Sequence, residues 1–221
     1  MLSKFKEVNA FAKKTSAKRT IYTKYTVTSG ANLIVSMTDN TSLTPNTATT
    51  ISLFFGILMA LSIVFISGYW GMFMAAIFYH LRLMWDLVDG TLARRKNMTS
   101  EKGSWWDQVV GKICSLLLIA SIMIRVYPHN FWLGLIIFIL FLYSSHRLFT
   151  GGINPYPTME ILVKKNSFLA NLYFEISRYH IFAVPFLLIN KPIWVIYGFG
   201  VVEIIWIIKT IICILRNLLK K

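Results

Sequence analysis

Long apolar stretches alternate with short polar breaks along most of the chain. Runs of about 20 apolar residues lie near 47–66, 69–93, 104–127, 130–150, 168–190 and 192–215. A helix needs about 20 predominantly apolar residues to cross the hydrocarbon core of a bilayer. Glycine, proline and asparagine mark several of the breaks, as in Ser67-Gly68 and Asn190-Lys191-Pro192. The pattern predicts an all-α, polytopic membrane bundle of about six transmembrane helices.

The segment before the first run has a different pattern. Residues 1–45 are polar and basic, and Phe5, Val8 and Phe11 alternate with lysines in a weakly amphipathic order. We interpret 1–45 as an N-terminal segment at the cytoplasmic membrane surface, with a solvated basic tail as the alternative. Residues 46–216 form the transmembrane domain, and 217–221 form a basic cytoplasmic tail.

Composition supports a membrane protein. The 221 residues are 56% hydrophobic and 14% charged, whereas about a quarter of the residues in a soluble domain are charged. Cys114 and Cys213 lie in apolar runs without CxxC spacing, which argues against a disulfide framework or a zinc site.

The net charge of +14 suits anionic lipid headgroups better than nucleic acid, because no stacking aromatics are interleaved with the basic residues. Lysine and arginine concentrate in residues 4–24, in 94–102, in the connection after the fourth run (Arg147, Lys164 and Lys165) and in the tail. They are sparse in the alternate connections. By the positive-inside rule both termini are cytoplasmic.

Three carboxylates lie in or beside apolar sequence. Asp86 and Asp89 are three residues apart and share a helix face. After a short connection, Asp107 lies one turn inside the next predicted helix, where an antiparallel hairpin brings it opposite the first two. Oxygen ligands of this kind suit Mg²⁺ or Mn²⁺, and Mg²⁺ commonly works with phosphates that complete its shell. The alternative is that these aspartates cap helices or pair with neighbouring cations, namely Arg82, Arg94 and Lys112.

The order Asp86-x2-Asp89-Gly90-x2-Ala93-Arg94-x8-Gly103-x3-Asp107 resembles the signature of the CDP-alcohol phosphotransferases. Thr44-Pro45-Asn46-x2-Thr49, which opens the first span, is similar to a segment found in many members. The resemblance implies an integral-membrane enzyme that moves a phospho-alcohol group from a CDP-alcohol to a second alcohol and releases CMP, in phospholipid or related polar-lipid synthesis. It also implies that the active site is cytoplasmic.

The resemblance also implies roles for individual residues. Asp86, Asp89 and Asp107 would bind a pair of divalent ions, Mg²⁺ or Mn²⁺, that hold the diphosphate, with a single ion as the alternative. Contacts with the CDP group would come from six residues: Asn46, Thr49, Gly90, Ala93, Arg94 and Gly103. The implied partners are a CDP-alcohol donor and an alcohol acceptor, one of them a lipid, together with membrane lipids. Whether the protein forms a homodimer is left open by the sequence.

One signature position differs. The family has a fourth aspartate four residues beyond Asp107, as a metal ligand and proposed base, whereas this chain has Gly111. The glycine is expected to leave space beside the metal, and Gly111→Asp is expected to strengthen divalent-ion binding. The candidate bases are Asp107, His146 and His180. The rival functions are CDP-alcohol binding without turnover and membrane transport.

The acceptor site is predicted from intramembrane cations, which are costly in lipid and therefore usually paired or functional. Lys112, Arg147 and Arg178 would bind an anionic group such as a phosphorylated acceptor. For Arg178, the alternative is an ion pair with Glu175, three residues earlier on the same predicted helix.

Overall fold

The computed structural model describes residues 2–15, 22–126, 132, 134–136, 138–139 and 180–218. The secondary structure of these residues is helical, without a strand among them. The chain divides into two compact units, residues 1–121 and 122–221. The first contains all three carboxylates of the predicted site.

Among the described residues, six helical elements begin in the first unit. They are α1 (Leu2–Thr15), a short π-helical turn (Thr23–Val27), α2 (Thr28–Thr38), α3 (Pro45–Phe65), α4 (Gly68–Arg95) and α5 (Glu101–Val126). The boundary between the units falls inside the last of these.

Local sequence signals set the ends of α3 and the start of α4. Thr44 caps α3: its hydroxyl accepts a hydrogen bond from the Thr47 backbone N–H at 3.2 Å, and Pro45 follows as the first helical residue. Gly68 opens α4 with a φ of 69°, a left-handed conformation that glycine adopts without steric cost. The short break between the two helices makes them antiparallel neighbours.

A tight turn joins α4 to α5. The backbone N–H of Met98 donates to the carbonyl of Ala93, and Asn97 has a φ of 55°, which is a helix-terminating conformation that asparagine tolerates. Ser100 then caps α5 by accepting a hydrogen bond from the Gly103 N–H at 3.0 Å. This turn fixes the ends of the two helices that carry the aspartates.

The N-terminal helices pack on the ends of α3 and α4. A core cluster joins Val8 of α1, Ala31 and Val35 of α2, and Val88 and Leu92 of α4. Burial of such side chains is worth about 1.5–3 kcal/mol each. The cluster therefore fixes α1 and α2 beside the part of α4 that carries Asp89.

The second unit contains α6 (His180–Leu188) and α7 (Pro192–Leu218). Asn190 turns the chain between them with a φ of 56°, and Pro192 begins α7. Leu187, Ile196 and Phe199 are buried in this unit.

The predicted all-α class is confirmed. By length and hydropathy, Pro45–Phe65 and Glu101–Val126 qualify as membrane spans among the described residues. The predicted run at 69–93 is helix α4, 168–190 is described only from His180 onward, and 130–150 lies almost entirely outside the described residues. The count of six spans and the membrane-surface position of the N-terminal segment remain predictions.

Candidate functional site

Asp89 is held by a hydroxyl from the neighbouring helix. Its side chain is 5% exposed, and its Oδ2 accepts a hydrogen bond from Thr49 Oγ1 at 2.6 Å. Thr49 lies one turn inside α3, where the Thr44 cap and Pro45 fix the helix start. The sequence predicted that Thr49 contacts CDP. In the structure its hydroxyl is hydrogen-bonded to the Asp89 carboxylate. The hydrogen bond orients Asp89 and stabilises its ionised form.

Asp86 lies one turn earlier on α4 and is half-buried. Its Oδ1 accepts a hydrogen bond from Arg82 Nη2 at 3.1 Å, an i,i+4 ion pair. The charges of Asp86 and Asp107 both act on the Asp89 carboxyl. The hairpin thus brings the three predicted aspartates close enough for their charges to interact. The predicted alternative, an ion pair with Arg82, is present for Asp86.

Arg94 lies within the same region, close to Gly90. A Cβ atom added at Gly90 would lie 3.4 Å from Arg94 Nη1, so the absent side chain leaves the guanidinium room along its own helix. Arg94 Nε is buried and has no hydrogen-bond partner among the described residues. A buried donor without a partner is costly, and a phosphate oxygen would satisfy it.

The N-termini of α3 and α5 meet beside this group. A Cβ atom at Gly103 would lie 3.3 Å from Asn46 Oδ1 and 3.0 Å from Ser100 Oγ. Glycine therefore allows Asn46 to approach the α5 backbone closely. The positive ends of two helix dipoles near each other favour an anion. The predicted contacts of Asn46 and Gly103 with CDP stay predictions. Ala93 is half-buried on α4.

Gly111 faces α4. A Cβ atom at this position would lie 3.6 Å from Arg82 Nη2, an ordinary contact distance. The position therefore has room for a side chain, and the neighbour that the side chain would meet is a cation. Lys112, the next residue, is half-buried.

The remaining predicted residues have no described side chains. His146, Arg147 and Arg178 lie outside the described residues, as does Glu175. His180 begins α6, but its side chain is likewise outside the description. Their roles as base or acceptor ligands stay predictions.

The side chains of the site have the oxygen donors that a divalent cation prefers, although they do not form a complete coordination shell. Three carboxylates and a hydroxyl supply the hard oxygen ligands that Mg²⁺ and Mn²⁺ prefer. No three His, Cys, Asp or Glu side chains among the residues described here are arranged to hold a metal by themselves. Mg²⁺ is usually bound through one or two carboxylates plus substrate phosphates, so a partial protein shell is compatible with it.

Three features of the site were not predicted from sequence. Arg82 was considered as a partner of the aspartates, but its position beside Gly111, 29 residues along the chain, depends on the register of α4 against α5. The Thr49–Asp89 hydrogen bond joins residues 40 apart. The Ser52 hydroxyl, which donates to the Arg82 carbonyl at 3.2 Å, gave no signal in the sequence.

Comparison with known proteins gives a family match over most of the chain. The family model described as CDP-alcohol phosphatidyltransferase matches residues 42–215, which include all three aspartates and Gly111. A search of curated proteins found no match.

Proposed function

Because the chain belongs to the CDP-alcohol phosphatidyltransferase family, we propose that it moves a phospho-alcohol group from a CDP-alcohol to the hydroxyl of a second alcohol. The observation that carries this proposal is the group of three aspartates on the α4–α5 hairpin, with Asp89 oriented by Thr49. The family is integral to membranes. One of the two alcohols is therefore proposed to be a lipid that reaches the site from the bilayer, in the synthesis of phospholipids or related polar lipids.

The metal ligands are proposed to be Asp86, Asp89 and Asp107, and the ion Mg²⁺ or Mn²⁺. When bound there, the ion would screen the diphosphate charge and would stabilise the negative charge that develops on the departing phosphate. Thr49 donates to the Asp89 carboxylate and fixes its orientation. Arg94 contributes a planar fork that matches phosphate oxygens, and its unpartnered Nε supports that role.

The reaction is a displacement at phosphorus. The acceptor oxygen forms a bond to the β-phosphorus of the donor, and the bond from that phosphorus to the bridging oxygen breaks. CMP leaves with the bonding electron pair, and the hydroxyl proton passes to a base. Asp107 is the first candidate base, because its side chain lies within the aspartate group; His146 and His180 follow.

The acceptor end is proposed to involve Lys112, Arg147 and Arg178, whose charges suit a phosphorylated or otherwise anionic group. Both termini and the active site are proposed to face the cytoplasm, because lysines and arginines concentrate in the connections on that side. A basic surface there also attracts anionic headgroups.

The test is a screen of CDP-alcohols against acceptor alcohols with the protein purified into nanodiscs, read out as CMP released. Asp89→Asn should abolish release, because the site loses a charged ligand. Glu101→Gln, an exposed carboxylate on α5, is the matched control and should behave as native. Binding of CDP without CMP release by any pair would overturn the proposed transfer and favour a binding role.

A further inference from the structure

Arg82 is the most buried cation among the described residues of the site. It lies in the middle of α4, between Leu81 and Leu83, and is 5% exposed. A charged side chain inside a membrane helix is costly and is usually paired or functional. Arg82 is therefore expected to have a role that compensates for this cost.

Its guanidinium lies between two elements of the site. Nη2 donates to Asp86 Oδ1 at 3.1 Å, and the same nitrogen would lie 3.6 Å from a Cβ atom at Gly111. The charge of Arg82 also acts on Asp107. Arg82 thus contributes a fixed positive charge next to two of the aspartates, at the position where the signature has its fourth aspartate.

The surroundings hold the arginine in that place. Ser52 of α3 donates to the Arg82 carbonyl at 3.2 Å, and the Cys114 side chain of α5 lies close enough to interact with the guanidinium. Arg82 Nε is buried without a hydrogen-bond partner among the described residues. The guanidinium therefore retains a donor that an anion in the site would satisfy.

Charge balance indicates what the arginine replaces. When ionised, Asp86, Asp89 and Asp107 carry three negative charges, and Arg82 carries one positive charge. With Arg94 assigned to the phosphate, these four groups leave a charge that one divalent cation neutralises. A site with a fourth aspartate and no arginine would carry four negative charges, the equivalent of two divalent cations. Crowded carboxylates in a low dielectric need such compensation.

We propose that Arg82 takes the place of a second metal ion beside Gly111, so that this site binds a single divalent cation. The inference rests on the proposed function. Arg82 acts by positioning Asp86 and by compensating charge, and an aspartate at position 111 would pair with the arginine rather than hold a second ion. Gly111→Asp alone is then not expected to create a second ion site, although the sequence alone predicted stronger ion binding.

The test is a Mn²⁺ titration of the purified protein in zwitterionic nanodiscs with saturating CDP, with free Mn²⁺ followed by electron paramagnetic resonance. The native protein and Gly111→Asp should each bind one Mn²⁺ per chain. The double variant Arg82→Met/Gly111→Asp should bind two, because the competing cation is gone. Arg82→Lys/Gly111→Asp is the matched control: it keeps the charge and should bind one.

The outcomes separate this inference from the proposed function. Two Mn²⁺ per native chain, or two for Gly111→Asp alone, would overturn the role of Arg82. One Mn²⁺ for the double variant would do the same. Failure of the native protein to bind either CDP or Mn²⁺ would instead overturn the proposed function. If the methionine variant does not fold, the native and Gly111→Asp stoichiometries still decide the question.

Discussion

The Thr49 hydroxyl donates a hydrogen bond to Asp89 Oδ2 at 2.6 Å, across the buried contact between α3 and α4. Both residues are almost fully buried, at 3% and 5% exposure. A carboxylate removed from water depends on such a donor, because an unsatisfied buried charge costs more than a neutral group. The bond thus connects the packing of the two helices with the chemistry of the site.

Thr49→Val removes this donor and keeps the side-chain shape. We expect the free energy of unfolding to fall by about 1–3 kcal/mol, the usual cost of leaving a buried acceptor unsatisfied. Saturating Mn²⁺ should recover part of the loss, since a ligand that binds the native state stabilises it. Thermal unfolding in detergent, with and without Mn²⁺, measures both effects.

Thr50→Val is the matched control. Thr50 is exposed on the same helix, and its hydroxyl bonds only to the Asn46 carbonyl among the described residues. Its replacement should change the unfolding free energy by less than about 0.5 kcal/mol. Equal losses for the two valine variants would show that the Asp89 hydrogen bond has no special contribution.

Gly56 allows α3 and α5 to approach closely. A Cβ atom there would lie 2.5 Å from Cys114 Sγ, so Gly56→Ala should destabilise the protein by about 1–3 kcal/mol through overpacking. Cys114→Ala removes the sulfur and should reduce that loss when the two changes are combined. A double-mutant cycle of unfolding free energies measures the coupling; additive losses would contradict the close approach.

The long helices of the first unit were predictable, because their signals are local. Thr44-Pro45 starts a helix, Ser67-Gly68 separates two, and the described helices begin and end within a few residues of the apolar runs. Helix α2 was not predicted. It contains Gly30 and several β-branched residues, which are weak helix formers, and burial of Ala31 and Val35 against Val88 supports it.

The site was predictable as a set of residues but not as an arrangement. A signature of spaced aspartates identifies Asp86, Asp89 and Asp107 without a structure. The partners of these aspartates depend on how the helices are rotated against each other, and no local pattern gives that rotation. This is why Thr49 was expected to contact CDP, and why Arg82 was not placed beside Gly111.

Charge asymmetry predicts that both termini are cytoplasmic and that six helices span the membrane. Residue 129 should then lie on the opposite side. Fusions of a compartment-sensitive reporter after residues 98, 129 and 221 should give cytoplasmic, non-cytoplasmic and cytoplasmic signals in that order. A cytoplasmic signal at 129 would contradict the predicted orientation.

A second group of ion pairs joins α1, the end of α2 and the end of α4, and it does not include Asp86, Asp89 or Asp107. Arg95 donates to Asp39 twice, from Nε to Oδ1 at 3.1 Å and from Nη2 to Oδ2 at 2.7 Å. It also donates to Glu7 of α1 at 2.9 Å. The bonds from Arg95 are the main reason that the pKa of Asp39 lies below its usual value, with the charges of Lys4 and Lys96 adding to the effect. Arg95 thereby connects α1 and the end of α2 to α4.

A lowered carboxyl pKa in the folded state predicts the sign of a pH effect. The stabilisation is complete above the pKa of the unfolded chain, which is about 3.9 for aspartate, and it is lost as the pH falls through the lower folded value. Packing of α1 and α2 should therefore be unchanged between pH 7 and about 5 and should weaken below about 4.

Asp39→Asn should lower the unfolding free energy at pH 7 by about 1–3 kcal/mol and should remove most of this acid dependence. Hydrogen exchange of α2 amides at several pH values measures the packing directly. Equal acid dependence in native protein and Asp39→Asn would assign it to other carboxyls.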